Sequence, residues 1–318
     1  MTWRRGLAAA AALVGAVAAA GCGLGAGASS KGTAALTVTR NYGAATLLDA
    51  REHDAPESET VIRFLDREAE ITTRYGGGFV QSIDGVSGRA VGGRRSDWFF
   101  YVNGIESSVG AAEVRVHGGD RIWWDYRDWT DAMRVPAVVG SWPEPFLNGA
   151  EGRRVSLQCF QRDACTEVTR ALADEGVRTA SPTAAERGSD PAGGPRMLVG
   201  PWSRVAADRA AEQLAAGPTE SGVFARFRSE GGRQALVLLD RRAEPARTLR
   251  DGSGLVAAVR EGDAAPTWLV TGTDPGGVRR AAALLDEEDL RNRYAVAAPP
   301  HGGPIGAPIV TDVGAEAR

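Results

Sequence analysis

Asp97-Trp98-Phe99-Phe100-Tyr101-Val102-Asn103-Gly104 decides the fold. A run of aromatic and β-branched residues that ends in Asn-Gly predicts a strand entering a tight hairpin, because both turn residues tolerate positive φ. Downstream, Gly118-Gly119-Asp120 reads as another turn and Ile122-Trp123-Trp124-Asp125-Tyr126 as a second aromatic strand, with residues 112–117 predicted as a strand before them. Upstream, Val61, Phe64, Leu65 and Ala69 recur at helical spacing, with Ser58 or Thr60 as N-cap and Gly76-Gly77-Gly78 as the stop. Phe79–Ile83 is a short strand ended by Asp84-Gly85. Earlier still, Leu36-Thr37-Val38-Thr39 and Ala45-Thr46-Leu47-Leu48 flank Asn41-Tyr42-Gly43, which carries turn chemistry. A hairpin, one helix and several strands predict an α+β arrangement in which the helix covers a small mixed sheet.

These residues carry a resemblance. The run from Trp98 to Gly104, then Val109-Gly110, then Gly119-Asp120 ahead of the aromatic strand through Trp124 and Tyr126, resembles the transcobalamin-like C-terminal domain family, also called DUF4430. The resemblance spans roughly residues 36–129 and implies a β-grasp-like module. Cobalamin carriers use such a module beside a helical α/α domain, of which this sequence shows no sign. Many bacterial surface proteins carry the module with no known ligand. The resemblance therefore implies a binding module and leaves its ligand open.

Side chains alternate across a strand. Trp98 and Phe100 thus share one face and Phe99 and Tyr101 the other, while Trp124 and Tyr126 oppose Trp123 and Asp125. One face must cover the helix. An exposed second face would make Trp98, Tyr101, Asn103, Trp124 and Tyr126 the candidate ligand platform. The competing reading is core plus linker packing, with Asn103-Gly104 and Gly119-Asp120 serving only their turns.

Beyond residue 130 the composition changes. Residues 131–152, with Pro136, Pro143, Pro145 and several Gly, lack any period and read as a linker whose Val135, Val138, Val139, Trp142, Phe146 and Leu147 pack on the neighbouring units. Residues 153–298 alternate strand and helix signals, which predicts an α/β domain of strand-turn-helix units. Helices are expected over residues 165–173, 205–215 and 276–285. An offset of 71 residues superposes Leu198 on Leu269, Val199 on Val270, Arg209 on Arg280, Ala211 on Ala282 and Leu214 on Leu285, a suggestive internal repeat. The Gly- and Pro-rich residues 299–318 read as a disordered tail.

Candidate chemistry is sparse. His53, His117 and His301 have no metal-ligand spacing. Thr271-Gly272-Thr273-Asp274-Pro275-Gly276-Gly277 could hold an anion on helix amides, but a simple N-cap by Thr273 or Asp274 explains it better. Ser221 and Ser253 lack a nucleophile-elbow context. Glu287-Glu288-Asp289 reads as a solvated stretch. No catalytic residue, metal ligand or cofactor is assigned, and an enzyme is not expected.

The N-terminus speaks to location. Arg4 and Arg5 precede an apolar run, residues 6–20, too short to span a bilayer and flanked like a signal-peptide core. It ends in Ala19-Ala20-Gly21-Cys22, which resembles a bacterial lipobox, although Ala19 stands where Leu is usual. Residues 1–21 are read as a lipoprotein signal and 22–32 as a flexible tether. An ordinary signal peptide cut nearby is the alternative. Cleavage leaves 297 of the 318 residues, enough for two domains at 33–130 and 153–298, and moves the net charge from −3 to about −5. No basic stripe offers a nucleic-acid footprint. Cys159 and Cys165 are then the remaining cysteines besides Cys22, and export favours a loop-closing disulfide over a reactive dithiol. The expectation is a lipid-anchored binding module on the extracytoplasmic face of the membrane, taking a corrinoid-like small molecule for an importer. A structural or protein-interaction module of the envelope is the alternative. Cells fed labelled fatty acid should label the wild-type protein and leave Cys22→Ala unlabelled; equal labelling would refute the anchor.

Overall fold

The computed structural model describes residues 31–75, 78–149, 153–180 and 193–310. The signal-like segment, Cys22 and the tether up to residue 30 lie outside them. Strand makes up 40% and helix 19%, so the chain is mostly β-sheet with a few helices, compatible with α+β.

The first half runs β1 (Thr33–Arg40), β2 (Ala45–His53), α1 (Val61–Glu68), β3 (Ile71–Arg74), β4 (Phe79–Ile83), β5 (Val86–Ser87), β6 (Arg89–Val91), β7 (Arg94–Val102), β8 (Ile105–Glu106) and β9 (Arg121–Asp128). Its main sheet has the order β2-β1-β9-β7-β6, with β8 on β7. Its central pair, β1 and β9, is parallel, and β7 lies antiparallel to β9. Antiparallel β3, β4 and β5 form a small separate sheet. Helix α1 buries Val61, Phe64 and Leu65 against Leu36 and Val38 of β1, Trp98 and Phe100 of β7, and Trp124 and Tyr126 of β9. Each such burial stabilises by roughly 1.5–3 kcal/mol. Residues 112–117 are not a strand: they form a turn and a loop, with Arg115 making one isolated bridge to Thr60. The apolar residues that suggested a strand there, Val114 and Val116, lean on the α1 core from a loop.

The second half runs β10 (Ser156–Cys159), α2 (Arg162–Asp174), β11 (Arg196–Pro201), α3 (Trp202–Val205), α4 (Arg209–Ala215), α5 (Pro218–Ser221), β12 (Ala225–Glu230), β13 (Arg233–Leu239), β14 (Pro245–Leu249), β15 (Gly254–Val259), β16 (Thr267–Gly272), α6 (Pro275–Ala282), α7 (Glu287–Leu290), β17 (Ala295–Ala298) and β18 (Ile305–Ala307). Its main sheet has the order β10-β11-β16-β15-β17-β18; β12, β13 and β14 form a three-stranded sheet beside it. Strands β10, β11 and β16 are parallel. A disulfide joins Cys159 to Cys165 between β10 and α2.

The 71-residue repeat has a structural counterpart. Along the parallel β11–β16 pair every residue faces the one 71 positions later, Leu198 against Leu269 and Val199 against Val270. The helices do not repeat. Ala211 and Leu214 of α4 enter the core on one face of the sheet, whereas Ala282 and Leu285, at the end of α6 and just beyond it, enter the core on the other. The helix expected over residues 205–215 is split, because Asp208 caps α4 through Ala210 N and turns the chain after α3.

The disordered-tail expectation fails for residues 299–310. Strand β18 pairs antiparallel with β17, and Ile309 bridges to Asp240. Gly and Pro hid an alternation of Ile305, Ala307 and Ile309. Residues 311–318 lie outside the described residues. In the segment expected as a linker, Val135, Val138, Val139, Trp142 and Phe146 are buried, while Leu147 is half-exposed. Ala132, Val135 and Val138 join one core, and Val139, Trp142 and Phe146 the other.

One turn fastens the halves. Asn41, Tyr42 and Gly43 all have positive φ, a costly run for the two non-glycine residues. It lets Gly43 lie against the other half: an added Cβ would stand 1.9 Å from Asn292 O. Gly43→Ala should destabilise by roughly 3 kcal/mol or more in urea titration, combining the left-handed strain with the clash. Gly85 shares the positive φ but faces open space, so Gly85→Ala should cost only about 1–2 kcal/mol. Equal costs would show that the backbone approach at Gly43 is immaterial.

Candidate functional site

Both faces of the aromatic strands are largely covered. Trp98, Tyr101, Asn103, Trp124 and Tyr126 are all buried, as core packing would have them and not as an exposed platform would. In the antiparallel register Trp98 sits opposite Tyr126 and Phe100 opposite Trp124, and the latter rings stack with centroids 4.7 Å apart. Trp98 Nε1 donates to Val86 O and Tyr126 OH to Ser87 O, which ties this face to β5. Asn103 keeps its turn: Nδ2 donates to Asp120 Oδ1 at 2.8 Å while Oδ1 accepts from Arg121 N, so the two Gly-containing turns lock together. Tyr101 points the other way, into the seam between the halves.

At that seam Asp125 is fully buried on β9. Its Oδ1 accepts from Thr39 Oγ1 at 2.6 Å and from Gly43 N at 3.1 Å; its Oδ2 accepts from Tyr294 OH at 2.9 Å. Trp123 Nε1 donates to Thr39 Oγ1 at 2.7 Å and Tyr101 OH to Tyr294 OH at 3.3 Å. Tyr42 donates to Asp128 O and meets Phe224 and Tyr294 edge-on. Burial raises the Asp125 carboxyl to about 6, opposed by its hydrogen-bond donors. Burial likewise pushes the Tyr294 hydroxyl up, helped by the Asp125 charge. Nearby Arg127, also fully buried, lies 3.8 Å from the Phe99 ring centre and donates to the carbonyls of Ala132 and Met133. Arg127 Nε is the one atom of this network that is buried without a hydrogen-bond partner. The network fastens the halves and offers no reacting atom to solvent.

Two hollows matter for binding, one at this seam and one on the other face of the first sheet. The larger, about 720 Å³, runs along the seam between Tyr42, Gly43, Thr46 and Asp49 of the first half and Arg291, Arg293, Tyr294 and residues 304–310 of the second. Its volume falls in the range of small-molecule sites, which favour such junctions. Arg291 pairs with Asp49 across it. The smaller, about 250 Å³, lies in the first half over Trp98, Phe100 and Trp124, with partly exposed Phe79 and Val109 at its edge.

Every residue lining the smaller hollow falls within residues 58–128, which match the family model DUF4430, a domain of unknown function. Residues 58–128 are a DUF4430 domain. The match covers less than a quarter of the chain. It starts beyond β1 and β2, although β1 is the parallel neighbour of β9 in the DUF4430 sheet. The chain has no match among curated proteins.

The remaining sequence candidates are placed as follows. Asp274 caps α6 by accepting from Gly277 N. Glu287 does not simply face solvent: it reaches Arg121 at 3.0 Å across the seam. His117 lies 3.4 Å from Asp120 Oδ2. Among the described residues no group of three His, Cys, Asp or Glu could hold a metal ion, and no helix is long and apolar enough to cross a membrane. The seam residues Asp125, Arg127 and Tyr294 escaped the sequence reading. The signal for Asp125 and Arg127 was polar residues alternating inside an aromatic strand, Trp123-Trp124-Asp125-Tyr126-Arg127, which marks a face buried against polar partners; Tyr294 carried none.

Because the native Asp125 carboxyl binds its proton more tightly than its ordinary value near 3.8, the native state holds an extra proton between about pH 4 and 6. Stability should fall as pH rises through that window, by up to about 3 kcal/mol, and Asp125→Asn should remove that part of the slope in urea titrations from pH 4 to 7. Parallel slopes in both proteins would contradict the assignment.

Proposed function

We propose that the mature protein is a lipid-anchored binding protein on the extracytoplasmic face of the membrane, with its small-molecule seat in the seam cleft. The observation that carries this reading is the 720 Å³ cleft walled by both halves. The Cys159–Cys165 disulfide supports export, since such bonds persist outside the cytosol. The basic, apolar and lipobox-like order ending at Cys22 supports the anchor. A β-grasp-like reading of the DUF4430 half is supported by its hairpin–helix–strand order around the parallel β1–β9 pair. Units at 33–130 and 153–298 remain the working division, although the cores on both faces of the second sheet draw on residues 131–149.

The resemblance to cobalamin carriers makes a corrinoid the first ligand to try, for delivery to an importer. The cleft would seat only part of one. Its chemistry is mixed: Arg293, Asn292 and Glu288 offer polar contacts, and Ile305, Ile309 and Val310 apolar ones. A second reading, docking of an envelope protein without a small ligand, is favoured by the apolar edge of the smaller hollow, where Phe79 and Val109 are 39% and 47% exposed.

Calorimetry of the soluble mature chain with cobalamin and its precursors tests the first reading. Binding at micromolar strength, about −8 kcal/mol, should weaken at least tenfold in Thr46→Trp, which narrows the cleft from an exposed position. No binding, or binding indifferent to Thr46→Trp, would reject the seat; envelope capture lost in Phe79→Asp would then favour docking.

A further inference from the structure

Strand β2 ends its sheet: its one strand partner is β1. Along its other side a row of backbone N–H and C=O groups has no strand partner among the described residues. Such edges are normally blunted by Pro, by charged side chains, by a β-bulge or by being short. Strand β2 is nine residues long, Ala45–His53, and contains no Pro, Gly or Lys; an irregularity at Leu47 interrupts its pairing with β1, which is regular from Leu48 to His53. Its charges are arranged in an unusual way for an edge. Leu48 and Ala50 lean on the α1 core, so Asp49 and Arg51 share the opposite face, two positions apart and opposite in sign. Both are exposed.

Like charges repel a second copy at an edge; this pattern attracts one. In an antiparallel pairing centred on Ala50, Asp49 stands opposite Arg51 of the partner subunit, and the same contact recurs by symmetry. Cross-strand pairs of opposite charge stabilise a sheet, and a contact that repeats itself in this way is what a twofold interface requires. Glu52 is not left unbalanced in that register, because Arg67 holds it at 2.7 Å. We propose that β2 is a homodimerisation edge, and that two copies join their main sheets into one through it. The inference is independent of the ligand reading. Thr46 and Asp49 also line the seam cleft, so the second copy borders the mouth of that cleft.

The test is sedimentation equilibrium of the mature chain, made soluble by Cys22→Ser, across a hundredfold range of concentration. Wild type should form dimers. Asp49→Arg should weaken self-association at least tenfold, because it sets Arg opposite Arg. The double variant Asp49→Arg with Arg51→Asp should restore dimers, because the reversed charges are again complementary. Asp49→Arg also loses the exposed pair with Arg291, so thermal melts of all forms separate lost association from lost fold. Hydrogen exchange of the β2 amides should slow on dimerisation. A wild type that stays monomeric throughout would overturn the proposal and leave the edge to a foreign strand. So would a dimer indifferent to Asp49→Arg, or a double variant that melts like wild type yet stays monomeric.

Discussion

The buried carboxylate of Asp125 is the contact on which the rest of the molecule depends. It gathers a hydroxyl from β1, a backbone amide from the turn after β1 and the Tyr294 hydroxyl from the second half onto two oxygens. A buried charge is costly unless its donors are complete. Here the three donors come from two pieces of chain far apart in sequence, residues 39–43 and Tyr294, so the pieces must arrive together. The left-handed turn at Asn41, Tyr42 and Gly43 follows from the same demand, since only that path brings the Gly43 amide to Asp125 and the Tyr42 ring to Phe224.

This arrangement decides what kind of binding surface the protein has. A module with bare aromatic strands would offer a flat platform. Once the second half covers Tyr101 and Trp123, and α1 with β3–β5 covers Trp98, Trp124 and Tyr126, the aromatics become mortar. The larger accessible hollow is at the seam, where residues of β2 and β18 line one cleft. The cleft is a by-product of joining the halves, walled by charged and polar side chains such as Asp49, Arg291 and Arg293 and by apolar ones such as Ile305, Ile309 and Val310.

The same logic applies to the segment between the halves. Residues 131–149 have no periodic signal, yet they supply apolar side chains to the cores on both faces of the second sheet. The core that holds Val138 also holds Tyr42, Tyr101 and Trp123 of the first half, so the halves cannot swing apart without exposing it. A clamp that opens and closes on a ligand is therefore a poor description; a preformed cleft fits the packing better.

The sequence by itself determined local matters. Asn103-Gly104 and Gly119-Asp120 specify turns because few other residues accept those backbone angles. Val61, Phe64 and Leu65 specify one amphipathic helix. The aromatic run from Trp98 specifies a strand, and residues 58–128 carry enough of that pattern to match DUF4430. Even the 71-residue repeat stated the β11–β16 register. Only the tertiary structure decided which faces were covered. Alternation tells which side chains share a face and says nothing about what lies against it, so Trp98 and Trp124 read equally well as platform or core. It also decided that Asp125 meets Tyr294, 169 positions away, and that Ile305–Ala307 closes a sheet rather than trailing off. Such pairings are set by the joint packing of both halves, and no short window of sequence contains both partners.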